Sequence, residues 1–271
     1  MAKTRNEYIH GTHPDEQKRL SELNTLTNRQ FVDYLEIDTG ESVLEVGSGL
    51  GILANFVAGT HPDASITGIE ISDELIDRAI ADFSETVNLR FAKADAHSLD
   101  LLDNSFEIVY CRYLLEHVMD PEVVLGEIFR VLKPGGKIFI QENNILINVF
   151  YPDCPTFDIL WKKFADVQTE LGGDALIGKK LFSLLKTGGF DDIALSIAPE
   201  IHHYGMPTFT PWIQNLIGNI DGARKNLIDM GGVESKLIDE AIDELTALQN
   251  NPHASAYFYW NRAKAVKPLS D

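Results

Sequence analysis

Through residue 142 the chain alternates two hydrophobic patterns. Short, mostly apolar runs, VLEV over 43–46, ITGI over 66–69 and IVYC over 108–111, read as strands buried on both faces. Longer stretches with apolar residues three and four apart, such as Leu125, Ile128, Phe129 and Leu132, read as amphipathic helices. The pattern predicts strand 42–46, helix 51–59, strand 65–70, helix 73–84, strand 88–92, strand 106–111, helix 121–132 and strand 136–142. Such alternation means a parallel sheet with helices on both faces. Two helix starts are marked by their caps. Ser72 precedes Asp73-Glu74, and Asp120 precedes a proline at the first helical position.

Outside this stretch the pattern is more helical. Pro14 to about Asn28 and Arg29 to Leu35 read as two helical segments, with Leu20, Leu23 and Leu26 or Thr27 on one face. After Gln141, Val149 to Thr156 reads as a loop with two prolines. Phe157–Leu171 and Ala175–Lys186 read as helices, and Gly188-Gly189-Phe190 turns into a strand through about Ile197. Pro211 to Gln249 is a second helical block, before a strand-like run from Ala256 to Trp260. Nothing resembles a linker, so 1–271 is expected to form one domain. Within it, 1–40 is a helical cap, 41–142 a ligand-binding core, 143–207 and 251–271 the rest of the sheet and its pocket, and 208–250 a helical lid or insertion.

The chemistry is concentrated in VLEVGSGLG, where Gly47, Gly49 and Gly51 stand at alternate positions after the first strand. Glycine tolerates positive φ and has no Cβ to hold a ligand away, and the following helix aims free N–H groups at the same place. A glycine turn here is also a plain packing solution. Nineteen residues after Gly51, Glu70 ends the second strand, where an acid can accept hydrogen bonds from two ribose hydroxyls. A dinucleotide fingerprint would read GxGxxG, whereas this one reads GxGxG with Glu45 two positions before the first glycine.

This segment resembles motif I of the class I S-adenosylmethionine-dependent methyltransferases, and four later segments match the family in order. Ala94-Asp95-Ala96 stands where the family has an acid beside the adenine amino group, and Phe106–Cys111 is its next strand. Arg112-Tyr113-Leu114-Leu115-Glu116-His117-Val118 stands at its post-strand position, and Leu132-Lys133-Pro134-Gly135-Gly136 precedes its next strand. The segment before the sixth strand is similar to that of ubiquinone and menaquinone-type small-molecule methyltransferases. The resemblance implies a doubly wound, Rossmann-like α/β fold with a mostly parallel seven-stranded sheet and an antiparallel last strand. It implies S-adenosylmethionine as cofactor, contacted by Glu45, Gly47, Ser48, Gly49, Gly51, Glu70, Ile71, Asp95, Ala96, Arg112 and Tyr113, with Tyr8 and His10 in an N-terminal cover.

The expected activity is methyl transfer to a small-molecule acceptor at an oxygen, nitrogen or carbon atom. His117 is the candidate general base, with packing at the start of a helix as the competing role. His202-His203 and Tyr204 follow the sixth strand, where the acceptor pocket should open, and lack a third residue at metal-ligand spacing. Trp212, Trp161 and Tyr151 are expected as core or pocket lining. A non-catalytic binder of the same cofactor would keep every cofactor residue. A nicotinamide oxidoreductase would leave Asp95 and the LKPGG segment unexplained.

Charge narrows the partners. With 23 Lys plus Arg against 41 Asp plus Glu the net charge is −18, against the basic footprint usual in nucleic-acid binders and against adhesion to anionic membranes. No run approaches the roughly 18 apolar residues of a membrane span, and no apolar leader precedes the first helix, so a cytoplasmic protein is expected, with a homodimer as the candidate assembly. Cys111 and Cys154 form neither a disulfide framework nor a metal-ligand set; Cys111 is expected as a small buried hydrophobe.

Overall fold

The computed structural model describes residues 27–269. Tyr8, His10 and most of the first expected helix lie outside the described residues.

A helical stretch α1 over 27–32 precedes the alternating core. That core runs β1 (Ser42–Val46), α2 (Ile52–Thr60), β2 (Ser65–Glu70), α3 (Asp73–Asp82), β3 (Leu89–Lys93), β4 (Phe106–Arg112), α4 (Pro121–Val131) and β5 (Leu132–Glu142). Then follow β6 (Val149–Tyr151), α5 (Pro155–Glu170), α6 (Leu181–Thr187), β7 (Asp191–His203), α7 (Phe209–Asp229), α8 (Ser235–Gln249) and β8 (Ser255–Val266). Both marked caps form: Ser72 Oγ accepts from Leu75 N, and Asp120 Oδ1 accepts from Val123 N at 3.1 Å.

Strands β3, β2, β1, β4 and β5 are parallel neighbours in that order, and β8 runs antiparallel to β5. The sheet has eight strands rather than seven, because β6 adds a three-residue pairing to β8 in a segment expected to be a loop. The chain leaves β1 toward β2 and β3, then returns to β4 on β1's other side. The crevice between these two directions opens at the carboxyl ends of the strands, where ligands of such sheets bind.

Three apolar clusters hold the layers. Phe31, Val32, Leu53, Val57, Ile108 and Phe139 join α1 and α2 to one face of the sheet, and Val109, Ile138, Ile128, Leu181 and Leu185 join α4 and α6 to the other. Cys111 belongs to this second cluster. The third cluster joins α5, α7 and α8 to β6, β7 and β8 through Phe157, Trp161, Trp212, Phe258 and Trp260.

Several boundaries depart from the sequence pattern. LKPGG is extended and belongs to β5, and the helix expected over 175–186 is a 3-10 turn, Ile177–Lys180, followed by the short α6. The block 211–249 is two helices broken at Gly231-Gly232. Strand β7 continues to His203 because its whole length pairs with β8, so the two histidines lie on the strand rather than after it. Cys154 is buried at the start of α5, and Tyr151 is exposed rather than pocket lining.

Candidate functional site

The turn after β1 hangs from the end of β2, since the N–H groups of Gly47 and Ser48 both donate to Ile69 O, at 2.9 and 2.8 Å. All three glycines have positive φ. They differ in what surrounds them. A Cβ on Gly51 would lie 2.5 Å from the Phe91 ring, so that glycine serves packing, whereas one on Gly49 would meet nothing within 4 Å. Gly49 therefore faces open space at the crevice, while the buried Ser48 Oγ has no hydrogen-bond partner. Packing accounts for Gly51, and Gly49 is left open toward the crevice.

Glu70 closes the turn from the other side. Its Oε2 accepts from Gly49 N at 3.0 Å, and its Oε1 accepts from Ile71 N and Ser72 N at 2.9 and 3.0 Å. A carboxylate offers about four lone-pair sites, so capacity remains for a ligand donor. Ile71 is exposed beside it, and Ala94 N donates to Glu70 O, bringing the tip of β3 alongside. There Asp95 Oδ1 accepts from His97 N at 2.9 Å and contacts His97 Nδ1 at 2.8 Å. The His97 backbone N–H is the main reason its carboxyl sits below the ordinary range. Ala96, half-buried, completes that turn.

Beneath the turn, Glu45 is buried with Tyr110 OH donating to it at 3.2 Å. Burial pushes its pKa up to about 8, against the pull of the Arg112 guanidinium. Arg112 itself is buried at the end of β4 and donates to Asn28 Oδ1 at 2.7 Å and Thr27 Oγ1 at 3.2 Å, so it ties α1 to the sheet. Tyr113 has φ +57°, a left-handed conformation that costs a non-glycine residue free energy and is held only by its surroundings. Gln141 Nε2 donates to its hydroxyl at 2.8 Å, and its ring lies 4.5 Å from that of Trp260.

Glu142, a residue the sequence reading passed over, holds the segment after Tyr113. Its fully buried carboxylate accepts from Leu114 N and Leu115 N at 2.9 and 2.8 Å and from Glu116 N at 3.4 Å. Burial and the neighbouring Glu116 raise its pKa well above the ordinary value. His117 ends the 3-10 turn that follows, its Nε2 3.7 Å from Glu116 Oε1. An acid at a strand terminus is the only sequence signal for Glu142, and it does not say which backbone groups would face it.

The structure thus brings Glu45, Gly47, Ser48, Gly49, Gly51, Glu70, Ile71, Asp95, Ala96, Arg112, Tyr113 and His117 to the carboxyl ends of β1–β4 and the turns that follow them. His202 and His203 part company on β7, the first buried and the second exposed.

Residues 44–140 match the family model described as a methyltransferase domain. An O-methyltransferase of Pyrenophora dematioidea is 32% identical over 192 residues, which cover 68% of each chain. Phosphoethanolamine N-methyltransferase 1 of Triticum aestivum is 29% identical over 62% of this chain but only 32% of its own length, so the chain spans about a third of that relative. Among solved structures, phosphoethanolamine N-methyltransferase 2 of Haemonchus contortus, in complex with phosphomonomethylethanolamine and S-adenosylhomocysteine, shares the fold with a TM-score of 0.56 at 20% identity. That match covers 93% of this chain and 53% of the other. The chain belongs to the class I S-adenosylmethionine-dependent methyltransferase family.

Proposed function

We propose that this chain transfers a methyl group from S-adenosylmethionine to a small-molecule acceptor. The observation that carries the reading is the geometry around Gly49: an open turn with an unpartnered Ser48 hydroxyl beneath it and the Glu70 carboxylate bonded across it. These residues fit a nucleoside bearing an amino acid. In this reading Glu70 receives the ribose hydroxyls, Asp95 and Ala96 the adenine edge with Ile71 over it, and Gly47 to Gly51 the amino-acid end above Glu45. Arg112 and Tyr113 border that end, with Tyr8 as a cover from the N-terminal segment.

When bound, S-adenosylmethionine supplies a methyl group on a positively charged sulfur, which an acceptor lone pair displaces in line to leave the neutral thioether. The protein's main task is alignment, which can supply roughly 7–11 kcal/mol of such a barrier. The Glu142 carboxyl group holds Leu114–Glu116 in place, and through them the crevice wall. His117 would take the acceptor's proton where it carries one. The formal charge of −18 supports a small acceptor over a nucleic acid, and two free buried thiols, Cys111 and Cys154, suit a reducing cytoplasmic compartment. No helix of the described residues is long and apolar enough to cross a membrane.

Thermal melting tests the cofactor. A ligand at one hundred times its Kd adds about 2.7 kcal/mol, a shift of a few degrees for a chain of this size. S-adenosylmethionine and S-adenosylhomocysteine should both produce it, and NAD and NADP should not. Gly49→Val should remove it: valine is strained at φ +53° by about 1–3 kcal/mol, but its Cβ meets no atom of the protein, so a folded variant measured below its own transition should melt without a cofactor shift. A shift by NAD alone would overturn the reading. Cofactor binding without transfer to any of a panel of phenols, amines, thiols and carbon acids would favour a non-catalytic binder.

A further inference from the structure

An exposed antiparallel strand ordinarily buries its apolar side chains on one face and turns polar ones to water on the other. Strand β7 does not. It reads IALSIAPEI over 193–201, and Ala198, Glu200 and His202 on the face toward α7 are buried. On the face turned away from α7 stand Leu195, Ile197 and Ile201, all exposed. The register sets like residues beside them. Tyr257 of β8 lies between Ile201 of β7 and Val149 of β6, with Tyr151 one position further on the same face of β6. Pro199 and Tyr259, opposite each other, fill the middle. These six large side chains, from Leu195 to Tyr257 and Tyr151, are 46–64% exposed, and they make one apolar surface across three strands.

Such a surface is on the order of 600 Å², the top of the range for a monomer's largest apolar patch and close to the roughly 800 Å² a side of a standard interface. Its edge does not invite an added strand. Pro199, in mid-strand, has no N–H to donate, and its carbonyl already accepts from Gln30 Nε2 at 3.4 Å. The face, rather than the edge, is open. Charge decides what can cover it. No Asp, Glu, Lys or Arg occupies this face from Ile193 to Ile201 of β7 or from Tyr257 to Ala263 of β8, in a chain that is 24% charged. A partner recognised by its charge finds nothing there to pair with. Two copies at −18 each repel through the rest of their surfaces, and this neutral face is where they can meet.

We propose that this face is the interface of a two-fold dimer of the chain, sheet packed on sheet with Tyr257 near its centre. A two-fold axis sets the patch against itself, so a face without charge meets no like charge. Apolar sheet faces of this kind pack about 10 Å apart with their side chains interleaved. None of the crevice residues lies on β6, β7 or β8, so each copy keeps its own cofactor site.

Sedimentation velocity of the full chain over a concentration series, at low salt and at about 0.5 M salt, tests this. The chain should run as a dimer, and a tighter one at high salt, because screening removes the repulsion between two acidic copies while the apolar contact stays. Ile201→Lys should raise the dimer Kd at least tenfold by burying an unpaired ammonium, and Ile197→Lys should do the same. Each variant also lowers the net negative charge, so loss of the dimer would not come from greater overall repulsion. Both positions are exposed in the single chain, so the variants should fold, as circular dichroism checks, with S-adenosylhomocysteine affinity unchanged. A monomer at about 100 μM, a dimer that weakens with salt, or one that both variants leave intact would overturn the proposal. A monomer that cosediments with phosphatidylcholine vesicles would also overturn it and give the face to a lipid surface. Failure of S-adenosylhomocysteine to bind the wild-type chain would strike the cofactor reading instead, and sedimentation would still decide this one.

Discussion

The two ends of the sheet solve the problem of buried polarity in opposite ways. In the parallel half, the carboxylates that shape the crevice are tied to backbone N–H groups. Glu70 takes three, Glu142 takes three, and Asp95 is held by His97. In the antiparallel half, side chains meet side chains and aromatic rings stack, as Trp212 does on His202; buried polar atoms without a partner occur in both halves, Ser48 Oγ in the first and Asn261 Nδ2 in the second among them. Backbone-held groups are positioned before any ligand arrives, which suits an invariant cofactor. The comparison teaches that the crevice at the carboxyl ends of β1–β4 should tolerate losses in the antiparallel half better than the reverse.

The largest expected effect tests whether the halves are separable. Phe157 is fully buried in the helical cluster, with rings of Phe150 and Trp161 at 5.3 and 5.0 Å. Phe157→Ala should cost about 3–5 kcal/mol in urea unfolding, with S-adenosylmethionine affinity retained below the transition. Loss of cofactor affinity in the still folded variant would break the separation. Deleting 208–250 outright would not test the separation, because α7 and α8 bury Trp212, Ile213, Leu216, Ile238 and Leu245 in that cluster.

A pH experiment probes the cofactor half alone. Because folding raises the Glu45 pKa to about 8, the folded state keeps a proton that the unfolded state releases near the ordinary carboxyl value. Stability should therefore fall as pH rises from about 4.5 to 8, by up to about 3 kcal/mol once relaxation is allowed for. Glu45→Gln should remove that part of the slope. An unchanged slope would show that Glu45 is ionised in the folded protein.

Glu70→Ala removes charge-assisted bonds of about 1.5–3 kcal/mol to a ligand and also frees Gly49 N, so calorimetry should show cofactor affinity down by one to two decades or more. Wild-type affinity in a folded variant would remove Glu70 from the site. The smallest effect serves as a control: Asp120→Ala loses the α4 cap and should cost about 1 kcal/mol, a Tm shift of a few degrees, with ligand affinities unmoved.

The cofactor half was legible in the sequence because its signals are local. A buried strand, a glycine turn and an acid at the next strand's tip occupy fixed spacings, and Ser72 and Asp120 mark their helices within four residues. The sequence by itself determined the alternating core, the place of Gly47–Gly51, Glu70 and Asp95, and the helical character of 211–249. Tertiary structure decided the rest. It divided the glycines between packing at Gly51 and open space at Gly49, because that depends on Phe91, forty residues away. It extended β7 to His203 and turned His202 inward, because strand length and facing come from pairing with β8. It also gathered Tyr113, Trp260, Trp212 and His202 from four distant segments into one series of rings. No spacing along the chain encodes that contact; it exists only once the antiparallel strands pair and α7 packs across them.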